Sequence, residues 1–299
     1  MIPKIFIQSL FPLTLLMAWG GMITSSSTEV EAAQKQPHVV FVTGDHEYRS
    51  EVTMPMIAGI LEKNYGFKCT VLYAINKQTG KIDFNEEENI PGLEALESAD
   101  LAVIFLRWRK LPENQFNMIL KYAESGKPLV GLRTATHCFN YPAGHPLQKW
   151  NDGFSTKFFG QKWITHHGHD SSTDVQAIAS EIDHPILNGI RPFHARSWLY
   201  HVAPLEGDCT PLVEGTSTNS NKTGSEAQYP LTQPVAWTKN NNGGKVFFTT
   251  LGHPHDFEIE SMRKLVVNGI LWALDKQVPS QGANVDTAEP FIAPDSNML

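Results

Sequence analysis

Cysteine is scarce in this chain: three in 299 residues, Cys69, Cys138 and Cys209, far apart and never in a Cys-x-x-Cys pair. That excludes a disulfide-built scaffold and leaves room for one bridge at most. Runs of positive charge are also missing. With 24 Lys and Arg against 31 Asp and Glu, the formal charge is -7. The footprint of a nucleic-acid or anionic-membrane partner is therefore absent, and the implied partner is a small molecule. The sequence contains no internal repeat and no His-Glu-x-x-His motif. What it does contain is ordinary for a globular protein: 41% hydrophobic, 18% charged and 10% aromatic residues, enough for one large core or two small ones.

Residues 1–33 read as a secretory signal. Lys4 gives the positive start, Ile5 to Ile23 is nearly uncharged, and Val30-Glu31-Ala32 offers small residues before a cut. The expectation is an exported protein, periplasmic or extracellular, with no stable membrane association after cleavage. The rival is an uncleaved membrane anchor, because the apolar stretch approaches a span in length; Pro12 and Ser25 to Ser27 weigh against it. No cysteine follows the stretch to carry a lipid.

From His38 the chain alternates strand and helix signals. His38 to Thr43 is a continuous β-branched and aromatic run that suits a strand buried on both faces. A helix follows, with Thr53 as its cap, Pro55 in its first turn and an end near Gly66. Lys68 to Ala74 is the second strand, a short helix precedes Asp100, and Leu101 to Leu106 is the third strand. A helix opens at Pro112 and ends at Gly126, and Pro128 to Leu132 is the fourth strand. Strands and helices alternating at these spacings predict a doubly wound α/β fold with a mostly parallel sheet. Beyond it, Tyr141 to Asp170 reads as a long functional excursion, and Asp174 to Ala179 and Ser197 to Val202 as strands. Gly215 to Gln228 reads as a mobile surface loop. Pro234 to Thr238 and Lys245 to Leu251 flank Asn240 to Gly244, a hairpin signal. Met262, Leu265, Val266, Gly269, Ile270 and Ala273 mark a last amphipathic helix. Residues 34–278 are read as a single domain and 279–299 as a disordered tail.

In a parallel sheet the carboxyl ends of the strands share one edge, where open α/β folds place their ligand sites. The residues just past the predicted strands are Asp45-His46-Glu47, Arg107-Trp108-Arg109, Arg133-Thr134 with His137, and His253-Pro254-His255-Asp256. Each has a plain structural use: His46 and Glu47 as helix caps, the arginines as partners of nearby acids, Trp108 as rim packing. Together they make this edge the expected site. The cluster His166-His167-Gly168-His169-Asp170 and the pair His253 and His255 admit a divalent metal. Their spacing does not require one, so no cofactor is expected.

Gly126-Lys-Pro-Leu-Val-Gly-Leu-Arg-Thr-Ala-Thr-His137, Asp183-His-Pro-Ile-Leu-Asn-Gly-Ile190, Leu199-Tyr200 before Pro204-Leu205, Pro234-Val-Ala-Trp-Thr238 and Lys245-Val-Phe-Phe-Thr-Thr-Leu-Gly-His253 together resemble the trehalose-utilisation, or ThuA-like, family over roughly His38 to Leu274. The resemblance implies a fold similar to class I glutamine amidotransferases. Arg133 stands where those enzymes carry the nucleophilic cysteine, and His253 resembles their triad histidine, with His255 in the place of the acid. An arginine cannot attack a carbonyl, so glutamine hydrolysis is excluded. Cys138, five residues past the elbow, reads as a buried small residue.

The implied partner is a carbohydrate, trehalose or a related disaccharide, possibly as a keto-sugar, and the implied protein a sugar-active hydrolase or lyase. In that reading His253 and His137 move protons, while Asp45, His46, Glu47, Arg107, Trp108, Arg133, Thr134 and His255 bind substrate. No glycosidase-type carboxylate pair is identifiable. The competing classes are a carbohydrate-binding or sensing module on the same fold and, more remotely, an interaction domain.

Overall fold

The strand order explains why one edge carries so much chemistry. A computed structural model describes residues 36–221 and 227–296, together with Met1. The signal expected at 1–33 otherwise lies outside the described residues. Strand β1 (His38–Gly44) pairs in parallel with β2 (Lys68–Leu72) on one side and β3 (Leu101–Leu106) on the other. Next come β4 (Leu129–Leu132), parallel to β3, and β11 (Gly244–Thr249), parallel to β4. The sheet then continues antiparallel through β10 (Thr232–Asn241), β9 (Cys209–Thr218), β6 (Ser172–Ala177) and β7 (Phe193–Ala195). The full order is β2-β1-β3-β4-β11-β10-β9-β6-β7. A separate short pair joins β5 (Thr165–His166) to β8 (Tyr200–His201).

Both faces are covered, as a parallel sheet requires. Along β1, Val39 and Phe41 join the core under α1 (Ser50–Tyr65) and α4 (Glu260–Ala273), while Val40 and Val42 join the core under α2 (Glu113–Glu124) and α3 (Trp150–Phe159). The alternation is the period-2 geometry of a strand, expressed with apolar side chains on both faces. The chain leaves β1 for one face and β3 for the other, so the crevice between their carboxyl ends is the topological switch point of the sheet. Packing at β4 is tight: a Cβ on Gly131 would lie 2.5 Å from the Phe248 ring and 2.6 Å from that of Phe159. Only glycine fits there.

The doubly wound sheet, the late hairpin and the last helix are as expected, and several details differ. Helix α1 begins at Ser50, capped by Arg49 in a left-handed conformation, which puts Thr53 and Pro55 inside it. Within Tyr141 to Asp170, read as an excursion, α3 buries Phe154, Phe158 and Phe159 completely. Each such side chain contributes about 2–3 kcal/mol of burial. Ser197 to Val202 yields only the short β8, and β9 reaches Thr218, so the predicted loop from Gly215 is strand at its start; 222–226 lie outside the described residues.

Residues 279–296 are not disordered. They run along α1 and α4, bury Ala283 and Val285, and are fastened by the Asn268 side chain (Ala283 N–H to Oδ1, 2.9 Å), by Lys63 to the Thr287 carbonyl (3.0 Å) and by Tyr65 to the Asn284 carbonyl (3.2 Å). Proline and polar residues hide this strap in the sequence, because its partners lie more than 200 positions away in α1. No helix among the described residues is long and apolar enough to cross a membrane.

Candidate active site

The first wall stands at the β1/β3 switch point. Asp45 is fully buried; one carboxylate oxygen accepts the backbone N–H of Glu47 and Tyr48 (2.6 Å each), and the other takes the Thr134 hydroxyl, tying the end of β1 to that of β4. That turn sets His46 and Glu47 on the rim. Arg109 points a guanidinium N–H at His46 Nδ1 (2.7 Å) and Arg107 points one at Nε2. A neutral imidazole accepts at only one nitrogen, so one of these contacts sets N–H against N–H. Burial first, then the charges of Arg107 and Arg109, pull the His46 pKa down to about 4. Arg107 also faces Glu47, Nε to Oε2 at 3.1 Å, and lies 3.6 Å above the centre of the Trp108 ring. The Glu47 carboxyl is nevertheless raised above its ordinary range, because burial outweighs Arg107. Trp108 holds φ 51, a left-handed conformation rare for a bulky residue. Arg109 is fully buried and spends its remaining donors on the carbonyls of Arg107, Phe84 and Glu86.

The second wall follows β4 and β11. Arg133 sits at the strand-to-helix elbow with φ 46, the strained turn from which such folds project a nucleophile. Its side chain is fully buried, donating to the carbonyls of Trp198 and Thr250 (2.8 Å each) and to the Tyr48 hydroxyl (3.0 Å), between the rings of Tyr48 and Tyr200. Asp256 is buried as well. It accepts the N–H groups of Arg196, Ser197, Gly252 and His253 and the Ser197 hydroxyl, at 2.5 to 3.2 Å. Gly252, at φ 150, makes the turn that allows this.

The two expected proton-moving histidines have fixed tautomers. His253 Nδ1 accepts the His255 N–H (3.2 Å), so its own proton sits on Nε2; burial, then Arg133 and Arg196, pull its pKa down to about 3. His137 is the reverse case. Thr136 gives its hydroxyl hydrogen to the Arg133 carbonyl (3.2 Å), so its oxygen accepts from His137 Nδ1 (2.9 Å), leaving Nε2 as an acceptor. Burial holds His137 well below its ordinary pKa too.

The edge therefore gathers the expected residues, and their placement sorts them. His46, Glu47, Arg107 and Trp108 reach the rim. Asp45, Thr134 and Arg133 are buried and bonded within the protein, which removes Arg133 from the ligand floor assigned to it. His255 is half-exposed, with Nδ1 3.0 Å from Glu258. Only two histidines of the histidine-rich run come together. His166 and His169 stack on each other, ring centres 5.1 Å apart, and against Trp198 at 4.9 and 4.5 Å, whereas His167 is buried with Nδ1 3.2 Å from the Ser220 hydroxyl. Among the described residues no group of three or more His, Cys, Asp or Glu is placed to hold a metal ion. All three cysteines are free, and the fully buried Cys138 thiol is pushed far up by burial, which suits a packing residue. Tyr48, Trp163 and Trp198 line the site with no local pattern to mark them, and Tyr200, visible in sequence only as part of the Leu199-Tyr200 motif, joins them through the fold.

A doubly wound sheet with polar and aromatic residues gathered at its switch point is the arrangement in which open α/β folds place ligand sites. The family described as "ThuA: Trehalose utilisation" matches residues 35–273, and the chain belongs to it. A thua-like protein from Parabacteroides merdae ATCC 43184 shares the fold at TM-score 0.58 and 16% identity, over 82% of this chain and 92% of that one. Another, from Bacteroides uniformis ATCC 8492, does so at TM-score 0.53 and 18% identity, over 82% and 94%. A search of curated proteins found no match.

Proposed function

We propose that this chain is an exported enzyme of carbohydrate catabolism that binds a trehalose-type disaccharide, or its keto form, at the switch point. The observation that carries this reading is the rim of Arg107, Glu47 and Trp108: a cation, a carboxyl and an aromatic face set side by side, the combination that recognises a sugar ring. A substrate oxygen accepting from Arg107 would relieve the donor-against-donor contact at His46. Proton transfer falls to Glu47, whose raised pKa brings it closer to neutrality than an exposed carboxylate. His253 offers Nε2–H to a developing oxyanion, and His137 accepts a substrate hydroxyl at Nε2.

The sealed elbow at Arg133 favours a second reading, a binding module without turnover, because the position that carries a nucleophile in similar folds is filled by a side chain bonded within the protein. Mass spectrometry after incubation with trehalose and 3-keto-trehalose, paired with calorimetry, separates the two. Product that falls about a hundredfold or more in Glu47→Gln, with binding kept, supports the enzyme; binding without product supports the module, and neither binding nor product removes both.

A further inference from the structure

Beside the rim lies a recess of about 470 Å³, bordered by Trp108 and His137 on the sheet side, by Trp163, and by the segment leading into α3. Its volume falls within the range of about 300–1,000 Å³ usual for small-molecule sites. The two indoles flank His137, with ring centres 5.8 Å and 5.4 Å from the imidazole, so the recess opens from the same floor as the rim. Trp108 reaches it through a left-handed backbone, a strained conformation of the kind found at functional sites.

The polar lining divides into spent and unspent groups. The Asn151 amide is held to the Tyr141 backbone through its oxygen and one N–H, and Asp152 is paired with Lys162 at 2.7 Å. Gln148 uses its oxygen on the Gly144 N–H, which leaves its NH₂ available. Asn140 and Lys149 are exposed, and neither side chain has a hydrogen-bond partner among the described residues. The Trp163 indole N–H also lacks an acceptor but is buried, so Trp163 offers the recess its ring and not its N–H. Aromatic faces edged by neutral amides and a single cation without a carboxylate partner, Lys149 over the Trp150 ring at 5.7 Å, suit a polyhydroxylated ring, which has an apolar face and many hydroxyls, better than an anion or a lipid chain.

We propose that this recess is a second sugar subsite, holding the other ring of a disaccharide whose first ring lies against Arg107 and Trp108. Trp163 is its platform, and Asn140, Gln148 and Lys149 are its hydroxyl partners. The proposal rests on the carbohydrate reading given above, and calorimetry on the full chain tests the two separately. Wild type is expected to bind trehalose at least about tenfold more tightly than glucose, and Trp163→Ala to erase that ratio while leaving glucose binding unchanged, as loss of one stacked aromatic face would. Asn140→Ala and Gln148→Ala, at exposed positions, are expected to narrow the ratio with no change in thermal midpoint, and they decide the matter if Trp163→Ala does not fold. Equal binding of glucose and trehalose by wild type overturns the subsite and leaves the carbohydrate reading standing. Equal loss for both sugars in Trp163→Ala, or an unchanged ratio in the variants, also overturns it. Binding of none of glucose, trehalose and 3-keto-trehalose overturns the carbohydrate reading and the subsite with it.

Discussion

The two walls of the sheet edge use the same three materials, an arginine, a carboxylate and an imidazole, and use them in opposite ways. In the wall after β4 and β11, Arg133 and Asp256 are fully buried, Asp256 accepts five donors, and His253 has its tautomer fixed. In the wall after β1 and β3, Arg107 and Glu47 remain partly exposed and His46 faces a donor on each nitrogen. The first wall is nearly satisfied without a ligand: among the buried side-chain atoms of these groups only Arg133 Nε lacks a partner. The second reaches solvent and sets donor against donor at His46, and unsatisfied polar groups held within reach of solvent are what a ligand can exploit.

Removing Arg133 should give the largest effect. Arg133→Met leaves two buried carbonyls and a tyrosine hydroxyl without their donor, and a loss of about 3 kcal/mol or more is expected in urea unfolding. The folded fraction should bind sugar as wild type does. A normal unfolding midpoint with lost binding would reverse the assignment of the two walls.

Acid comes next. The folded pKa of His253, about 3, lies below its ordinary 6.5, so the unfolded chain takes up the proton first. Stability present above pH 6.5 is therefore lost as the pH falls toward 3, on the order of a few kcal/mol by pH 4. His253→Asn should flatten that limb in unfolding measured at pH 7 and pH 4, and an unchanged slope would show that His253 is not held neutral. Glu47 carries the opposite sign. Its raised pKa adds stability only at low pH, which is lost as the pH rises through its folded value, so Glu47→Gln should not destabilise the protein at pH 7.

Arg107 is expected to matter little for stability and more for binding. Arg107→Ala should cost about 1 kcal/mol or less, since the ion pair is partly exposed. It should nevertheless weaken disaccharide binding about tenfold or more, as measured by calorimetry. A large stability loss with intact affinity would make this wall structural as well.

The sequence made the parallel half of the sheet legible because strands buried on both faces appear as unbroken apolar runs, such as Leu101 to Leu106, bounded by polar turns. It also made the edge legible, since residues past parallel strand ends must become neighbours. It could not reveal depth. Arg107 and Arg133 look alike as the first residue past an apolar run, and only the packing of Tyr48, Tyr200 and Trp198 distinguishes rim from interior. Helix α3 was obscured because Phe154, Phe158 and Phe159 sit among glycines and polar residues that blur its period. The strap at 279–296 was obscured because its own backbone groups bond to side chains from α1 and α4 and from Glu258, which leaves no local pattern.

The elbow at Arg133 also bears on what this scaffold can become. Its strained turn is still the geometry that would present a thiol, so Arg133→Cys looks like a one-step return to nucleophilic chemistry. The step is blocked from below. A cysteine would leave the Trp198 and Thr250 carbonyls and the Tyr48 hydroxyl facing a void the size of a guanidinium. Two of those acceptors are backbone carbonyls, which no side-chain change at their own positions removes. The arginine acts as a ratchet: new activities in this scaffold are open to the β1/β3 rim and closed to the elbow.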